Sequence, residues 1–156
     1  MSNFTIWVDA DACPAAIKEV IFKAAERTNT QVVLVANSHM KIPKTSLVRL
    51  EVVSKGADVA DQYIVDYANP CDLAVTADIP LADQLVRKGL ATINPRGKTY
   101  TKENIAEALA MRDFMEGMRS AGQVQGGPPQ LAQKNIQSFA NSFDRILTKK
   151  LAENSV

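Results

Sequence analysis

Histidine is almost missing from this sequence: His39 is the only one among 156 residues. It lies in the polar loop 37–46 beside Lys41 and Lys44, where an imidazole is ordinarily solvated. Cysteine is nearly as scarce. Cys13 and Cys71 are far apart and no pattern pairs them, so a disulfide framework is excluded and reduced thiols are expected. The net charge of +1 provides no global field, so any contact with nucleic acid must come from a local patch. No apolar run approaches the roughly 18 residues that a membrane-spanning helix requires. The opening MSNFTIW has neither a basic n-region nor a long apolar h-region. The expectation is a cytoplasmic protein without membrane association.

What is present reads as one well-buried domain, with 46% apolar and 22% charged residues. Phe4, Ile6, Trp7 and Val8 form a short apolar run, as in a strand buried on both faces, and it stops at Asp9-Ala10-Asp11. Cys13-Pro14 then opens a helical pattern over 14–27, with Ile17, Val20, Ile21 and Ala24 on one face. Further strands are predicted at 31–36, 47–53, 72–76 and 90–93. Arg49 and Glu51 alternate with apolar residues in the third strand, which suits an edge. Helices are predicted at 57–68, from Pro80 to a stop at Gly89, and from an N-cap at Thr101 to 119. Strands alternating with helices define an α/β fold: a mostly parallel, five-stranded open sheet with helices on both faces. This domain spans 1–119. A flexible connection, 120–129, leads to a C-terminal amphipathic helix, 130–153, whose apolar stripe holds Ala132, Ile136, Phe139, Phe143, Ile146 and Leu147. That stripe is expected to pack on the domain or on a partner chain, giving a monomer or a homodimer through the helix.

The chemistry is expected among the aspartates. Asp9 and Asp78 each end a buried strand, and in a parallel sheet both reach the crevice outside the carboxyl ends of the strands. Carboxylates held that close repel, and a hard oxygen-ligated ion such as Mg²⁺ or Mn²⁺ relieves the conflict without histidines. Asp11 is either a further ligand or a helix cap. Asp58 and Asp61, three apart on one helix face, are either acids of the site or ordinary first-turn residues favoured by the helix dipole. Asp58 carries more weight, because first-turn side chains lean back toward the crevice. Asp83 has a competing explanation as an i,i+4 partner of Arg87. Cys13 is read as buried or capping rather than as an activated thiol. Arg112 falls within the apolar stripe of its helix, where a cation needs a carboxylate or phosphate partner, or snorkels at the rim. With Lys55, Arg96 and Lys98 it makes up the candidate phosphate-binding set.

Several of these segments resemble known families. VTADIPLADQLVRKG at 75–89 resembles the PIN-domain pattern of a strand ending in Thr-x-Asp followed by a Leu-Ala helix and glycine. SKGADVAD at 54–61 resembles the Lys-Gly-x-Asp segment of the NYN branch of PIN-like nucleases, and IWVDAD supplies the first-strand aspartate they share. With ANS at 36–38, NPRG at 94–97 and GGPP before the Phe139/Phe143/Arg145 helix, the set resembles the bacterial YaiI/YqxD family over nearly the whole chain. The resemblance implies a PIN-like fold and hydrolysis of RNA by a metal-activated water. Asp9, Asp58 and Asp78 would then be catalytic, and Asp9, Asp11, Asp58, Asp61, Asp78 and Asp83 would be available to Mg²⁺ or Mn²⁺. The NYN pattern places a second aspartate where this chain has Pro80, and Asp58 stands where ordinary PIN domains usually have glutamate. Two alternatives stay open. Asp9-Ala10-Asp11 also resembles the Asp-x-Asp of haloacid-dehalogenase-like phosphatases, with Asp9 as nucleophile, Asp11 as general acid, and Lys55 and Thr76 in supporting motifs. The other is a PIN-like RNA-binding domain without turnover.

Overall fold

In the computed structural model, residues 3–56, 58–122 and 130–153 are described. The apolar run at the start becomes β1 (Thr5–Asp9), central in a sheet with strand order β3-β2-β1-β4-β5-β6. β2 (Gln31–Ala36) and β3 (Val48–Val52) lie on one side of it. β4 (Leu73–Val75) and β5 (Ala91–Ile93) lie on the other, and these five strands are all parallel. The sheet has six strands, not five. β6 (Thr99–Tyr100) turns back antiparallel to β5 through the Asn94–Gly97 turn, and its two residues are too few for any periodicity to announce. β3 is an edge, as its alternation predicts, and Arg49 and Glu51 form an ion pair of 2.7 Å along it.

The described residues form five α-helices, four of them on the faces of the sheet. α1 (Ala15–Thr28) and α5 (Gln133–Glu153) lie on one face, over Ile6, Val8, Leu34, Val75 and Ile93. α2 (Val59–Tyr67) and α3 (Ile79–Lys88) lie on the other, over Trp7, Val33, Val35 and Ala74. α3 obeys its local signals. Asp78 caps it, Pro80 sits in its first turn where a missing N–H costs nothing, and Gly89 ends it in the left-handed conformation. α4 (Lys102–Ser120) starts from a capping box of Thr101 and Asn104 and packs on α3 through Ala82, Val86, Ile105 and Ala108. It extends to Ser120, so the connection expected over 120–129 begins later, and its residues 123–129 lie outside those described.

The amphipathic C-terminal helix folds back on its own chain. Phe139, Phe143 and Leu147 are fully buried, with the two rings stacked at 5.2 Å. Ile136 and Ile146 are partly covered, and Ala132 is exposed ahead of the helix. α5 crosses the Asn94–Gly97 turn so closely that a Cβ on Gly97 would lie 2.8 Å from the Ser138 backbone. At the opposite end of the sheet Asp72 is buried and accepts hydrogen bonds from the Thr5 N–H (2.9 Å), the Trp7 indole N–H (2.9 Å) and the Asn69 N–H (2.8 Å). Cys13 is buried and Cys71 exposed, both as free thiols. No helix among the described residues is long and apolar enough to cross a membrane.

Candidate functional site

β1 pairs with β2 on one side and with β4 on the other, and the chain reverses its direction of travel across the sheet between them. Such a switch point opens a crevice beyond the carboxyl ends of the two strands. Side chains alternate along a strand, so Asp9 projects from the same face as Trp7, toward α2 and α3. Asp9 is 7% exposed. Thr76, buried just past β4, donates its hydroxyl to Asp9 Oδ2 at 2.9 Å and accepts the Asp78 N–H at 3.0 Å. Asp78 Oδ1 in turn accepts the Leu81 N–H at 2.9 Å, as the cap of α3. The Thr-x-Asp segment is therefore a clamp: its threonine orients one aspartate and fixes the backbone of the other. One oxygen of each carboxylate lies outside these bonds.

The third acid is Asp61, in the first turn of α2. Its pKa is pushed up from 3.8 to about 7, by burial first, then by the charges of Asp78 and Asp9, a hydrogen bond with Asp78 and the charge of Asp58. Asp9 is raised as well. Burial is the largest cause, the Thr76 hydrogen bond opposes it, and the charges of Asp78 and Asp11 add to it. Burial and like charge thus act together on Asp9 and Asp61 beside Asp78, and both favour the protonated forms of the first two.

The other expected residues are placed differently. Asp58, given more weight than Asp61 in the sequence, is exposed one residue ahead of α2. Its backbone is left-handed, with φ of 66°, and it lines an outer cleft with Gln62, Tyr63 and Asp66. The helix begins at Val59, two residues later than the pattern suggests, which leaves Asp58 ahead of it and Asp61 in its first turn. Asp11 lies in a 3-10 turn (Ala10–Ala12), caps no helix, and accepts the Asn37 N–H at 2.7 Å, tying the β1–α1 connection to the end of β2. The side-chain oxygen of Asn37 is buried without a hydrogen-bond partner. Asp83 is held on both oxygens by Arg87, at 3.0 and 3.1 Å, so the expectation that it joins a metal set gives way to the ion pair. Cys13 is no activated nucleophile: burial pushes its thiol up to about 12. His39 is exposed in its loop.

Among the described residues no three His, Cys, Asp or Glu side chains meet closely enough to form a finished metal cage. Of the six expected aspartates, Asp9, Asp61 and Asp78 are the ones that influence one another at the crevice. These groups still fit a hard cation. All are oxygen donors, and Mg²⁺ commonly takes only one or two carboxylates and keeps its waters. The Asn37 oxygen, at the end of the strand beside β1, is a further neutral donor of the same kind.

Of the candidate cations, Lys98 and Arg112 line a cleft of about 480 Å³ together with Asp78. Arg112 is not embedded in an apolar stripe. Its helix face is solvent-facing there, and it pairs with Asp113 at 3.1 Å. Arg96 lines an adjoining cavity of about 450 Å³ and donates to Asn135 Oδ1 at 3.3 Å. Lys55 is exposed in the turn ahead of α2, outside both. Thr76 and Asp61 are the residues that sequence reasoning underweighted. The Thr-x-Asp spacing was the available signal for the first, and no local signal existed for the second.

Residues 7–149 match the family described as uncharacterised bacterial conserved proteins of the YaiI/YqxD type. A UPF0178 protein of Photobacterium profundum is 54% identical over 144 residues, covering 92% of this chain and 96% of the relative. One from Hydrogenovibrio crunogenus is also 54% identical, with 92% and 95% covered. Another, from Shewanella sp. strain ANA-3, is 50% identical over 149 residues, covering 96% and 99%. No solved structure matches the chain.

Proposed function

The chain belongs to the YaiI/YqxD family, and from its carboxylate crevice we propose that it is a divalent-metal-dependent hydrolase of phosphodiesters, PIN-like in kind, with RNA as its substrate. The observation that carries this reading is the convergence of Asp9, Asp61 and Asp78 at the switch point, with Asp61 raised to about 7 by burial and by its acidic neighbours. A site that holds a proton against its own charge is a site that a cation neutralises better.

Asp9, Asp61 and Asp78 would hold Mg²⁺ or Mn²⁺. Such an ion lowers the pKa of a bound water and stabilises charge developing on a phosphoryl oxygen. The chain's own contributions are positional. Thr76 keeps one oxygen of Asp9 occupied so that the other is presented outward. The α3 N-terminus does the same for Asp78. Lys98 and Arg112, in the cleft that Asp78 also lines, hold the phosphate backbone. Asp61 would have to lose its proton to hold such an ion, so affinity for it would rise with pH through neutrality.

Titration calorimetry with Mn²⁺ tests the metal site: wild type binds, and Asp9→Asn binds at least tenfold more weakly. Equal affinity for both proteins overturns it. Cleavage of a labelled RNA pool with Mn²⁺ tests the activity. It is expected for wild type and lost in Asp9→Asn/Asp78→Asn. Turnover that leaves a phosphorylated Asp9 would favour the phosphatase reading instead.

A further inference from the structure

The two cavities beside the acidic crevice are one feature. They share Ala77, Ile79 and Tyr100, and each falls in the ~300–1,000 Å³ range of ligand clefts. Joined, they form a trough that runs past Asp78 from the Asn94–Gly97 turn to the solvent-facing side of α4. Its floor is apolar, built from Ile79, Tyr100, Met111 and Met115. Its cations are Arg96 at one end, Lys98 between, and Arg112 and Arg119 along α4. On α4 the residues 108, 111, 112, 115, 116 and 119 recur at helical spacing, so one helix face supplies this wall.

Carboxylates offset part of that charge. Arg119 pairs with Glu116 at 3.4 Å and Arg112 with Asp113 at 3.1 Å, both exposed pairs of the kind that contribute little and that a phosphate can displace. The ammonium of Lys98 sits 6.0 Å from the Tyr100 ring centroid, joining the charged rim to the aromatic floor. Met111 is 57% exposed, on the stretch of α4 that runs on beyond its Ile105 and Ala108 contacts with α3.

We infer that this trough is the track for a single strand of nucleic acid, with phosphates on the Lys98, Arg112 and Arg119 side and base faces on the apolar floor. This rests on the phosphodiester reading above, and it adds which flank of the crevice the substrate occupies. The excess of cations over carboxylates along the trough favours a polyanion. The apolar floor selects a single strand, because the base faces of a duplex are already stacked inside it and have nothing to offer such a surface. A strand in this trough passes the outward oxygen of Asp78.

Fluorescence anisotropy with a labelled 12-nucleotide oligouridine, in chelator so that no cleavage occurs, tests the track. Arg112→Gln/Arg119→Gln is expected to bind at least tenfold more weakly than wild type. Its log affinity against log salt should be shallower by about 1.4, at about 0.7 per lost phosphate contact. Met111→Ala/Met115→Ala should weaken binding with the wild-type salt slope retained. Lys23→Gln/Lys44→Gln, beside another cleft at α1, should bind as wild type does. Equal losses for both pairs of cations, or a hairpin duplex binding as tightly as the oligouridine, overturns the inference. Binding that follows the expected pattern in a protein that never cleaves with Mn²⁺ keeps the track and sinks the hydrolase.

Discussion

At the scale of single residues, Asp61 carries the clearest consequence. In the unfolded chain it releases its proton near 3.8, and in the metal-free folded protein it keeps it to about 7. Below that window both states are protonated and the full stability is present. Within it the folded state binds more protons than the unfolded one, so stability falls as pH rises, and the loss is complete above about 7. Asp9 is raised too and acts in the same direction. Urea denaturation in chelator from pH 4 to 8 should therefore show a decline that Asp61→Asn flattens, with the variant the more stable protein at pH 8. A variant with the wild-type slope would mean that Asp61 does not hold the proton. Asp9 and Asp78 were legible because a charge that closes an apolar run breaks a local rule. Asp61 was not, because choosing between it and Asp58 depends on the rotation of α2, and that rotation follows from a left-handed residue ahead of the helix.

Individual elements are governed by their ends and their crossings. The cap at Asp78, the stop at Gly89 and the capping box at Thr101 are short-range effects, and sequence reading located the first turn and stop of α3 and the start of α4 from them. β6 and the three N–H groups gathered by Asp72 escaped it, since two residues have no period and those partners lie up to 67 positions away. Two glycines make a contrasting test. Gly97 has φ of +96° and no space for a Cβ, with the Ser138 carbonyl carbon and oxygen at 2.8 Å and the Phe139 nitrogen at 2.9 Å. Gly97→Ala should cost about 1–3 kcal/mol in chemical denaturation, by strain and by displacement of α5. Gly117 lies within α4 with nothing inside 4 Å of its Cβ position. Gly117→Ala should instead stabilise the protein by up to about 1 kcal/mol, through helix propensity. Equal effects at the two sites would contradict the close crossing of α5.

The molecule as a whole is an α/β sheet whose second cover arrives last in the chain. α/β class, parallel pairing and helices on both faces followed from alternating elements and from strands too apolar to face water. That α5 lies on the α1 face, over β4 and β5 as well as the central strands, did not follow. An amphipathic stripe says that something is covered and not what. Burying Phe139 and Phe143 contributes roughly 1.5–3 kcal/mol each, on top of Leu147 and the partly covered isoleucines. A chain ended at Gly122 should lose enough to lower its melting temperature by well over ten degrees, or to precipitate. A soluble truncated form with the full chain's melting temperature would show that α5 adds nothing to the core.

The link between Arg96 and Asn135 gives that late arrival a schedule. The two residues are 39 positions apart, so a ribosome has made the whole sheet before it makes the partner that steadies the Asn94–Gly97 turn. A growing chain therefore carries Asp9, Asp61 and Asp78 while one lip of the trough is still loose. The C-terminal helix is therefore a brace as well as a cover, holding the Asn94–Gly97 turn through Asn135 while its phenylalanines fill the core.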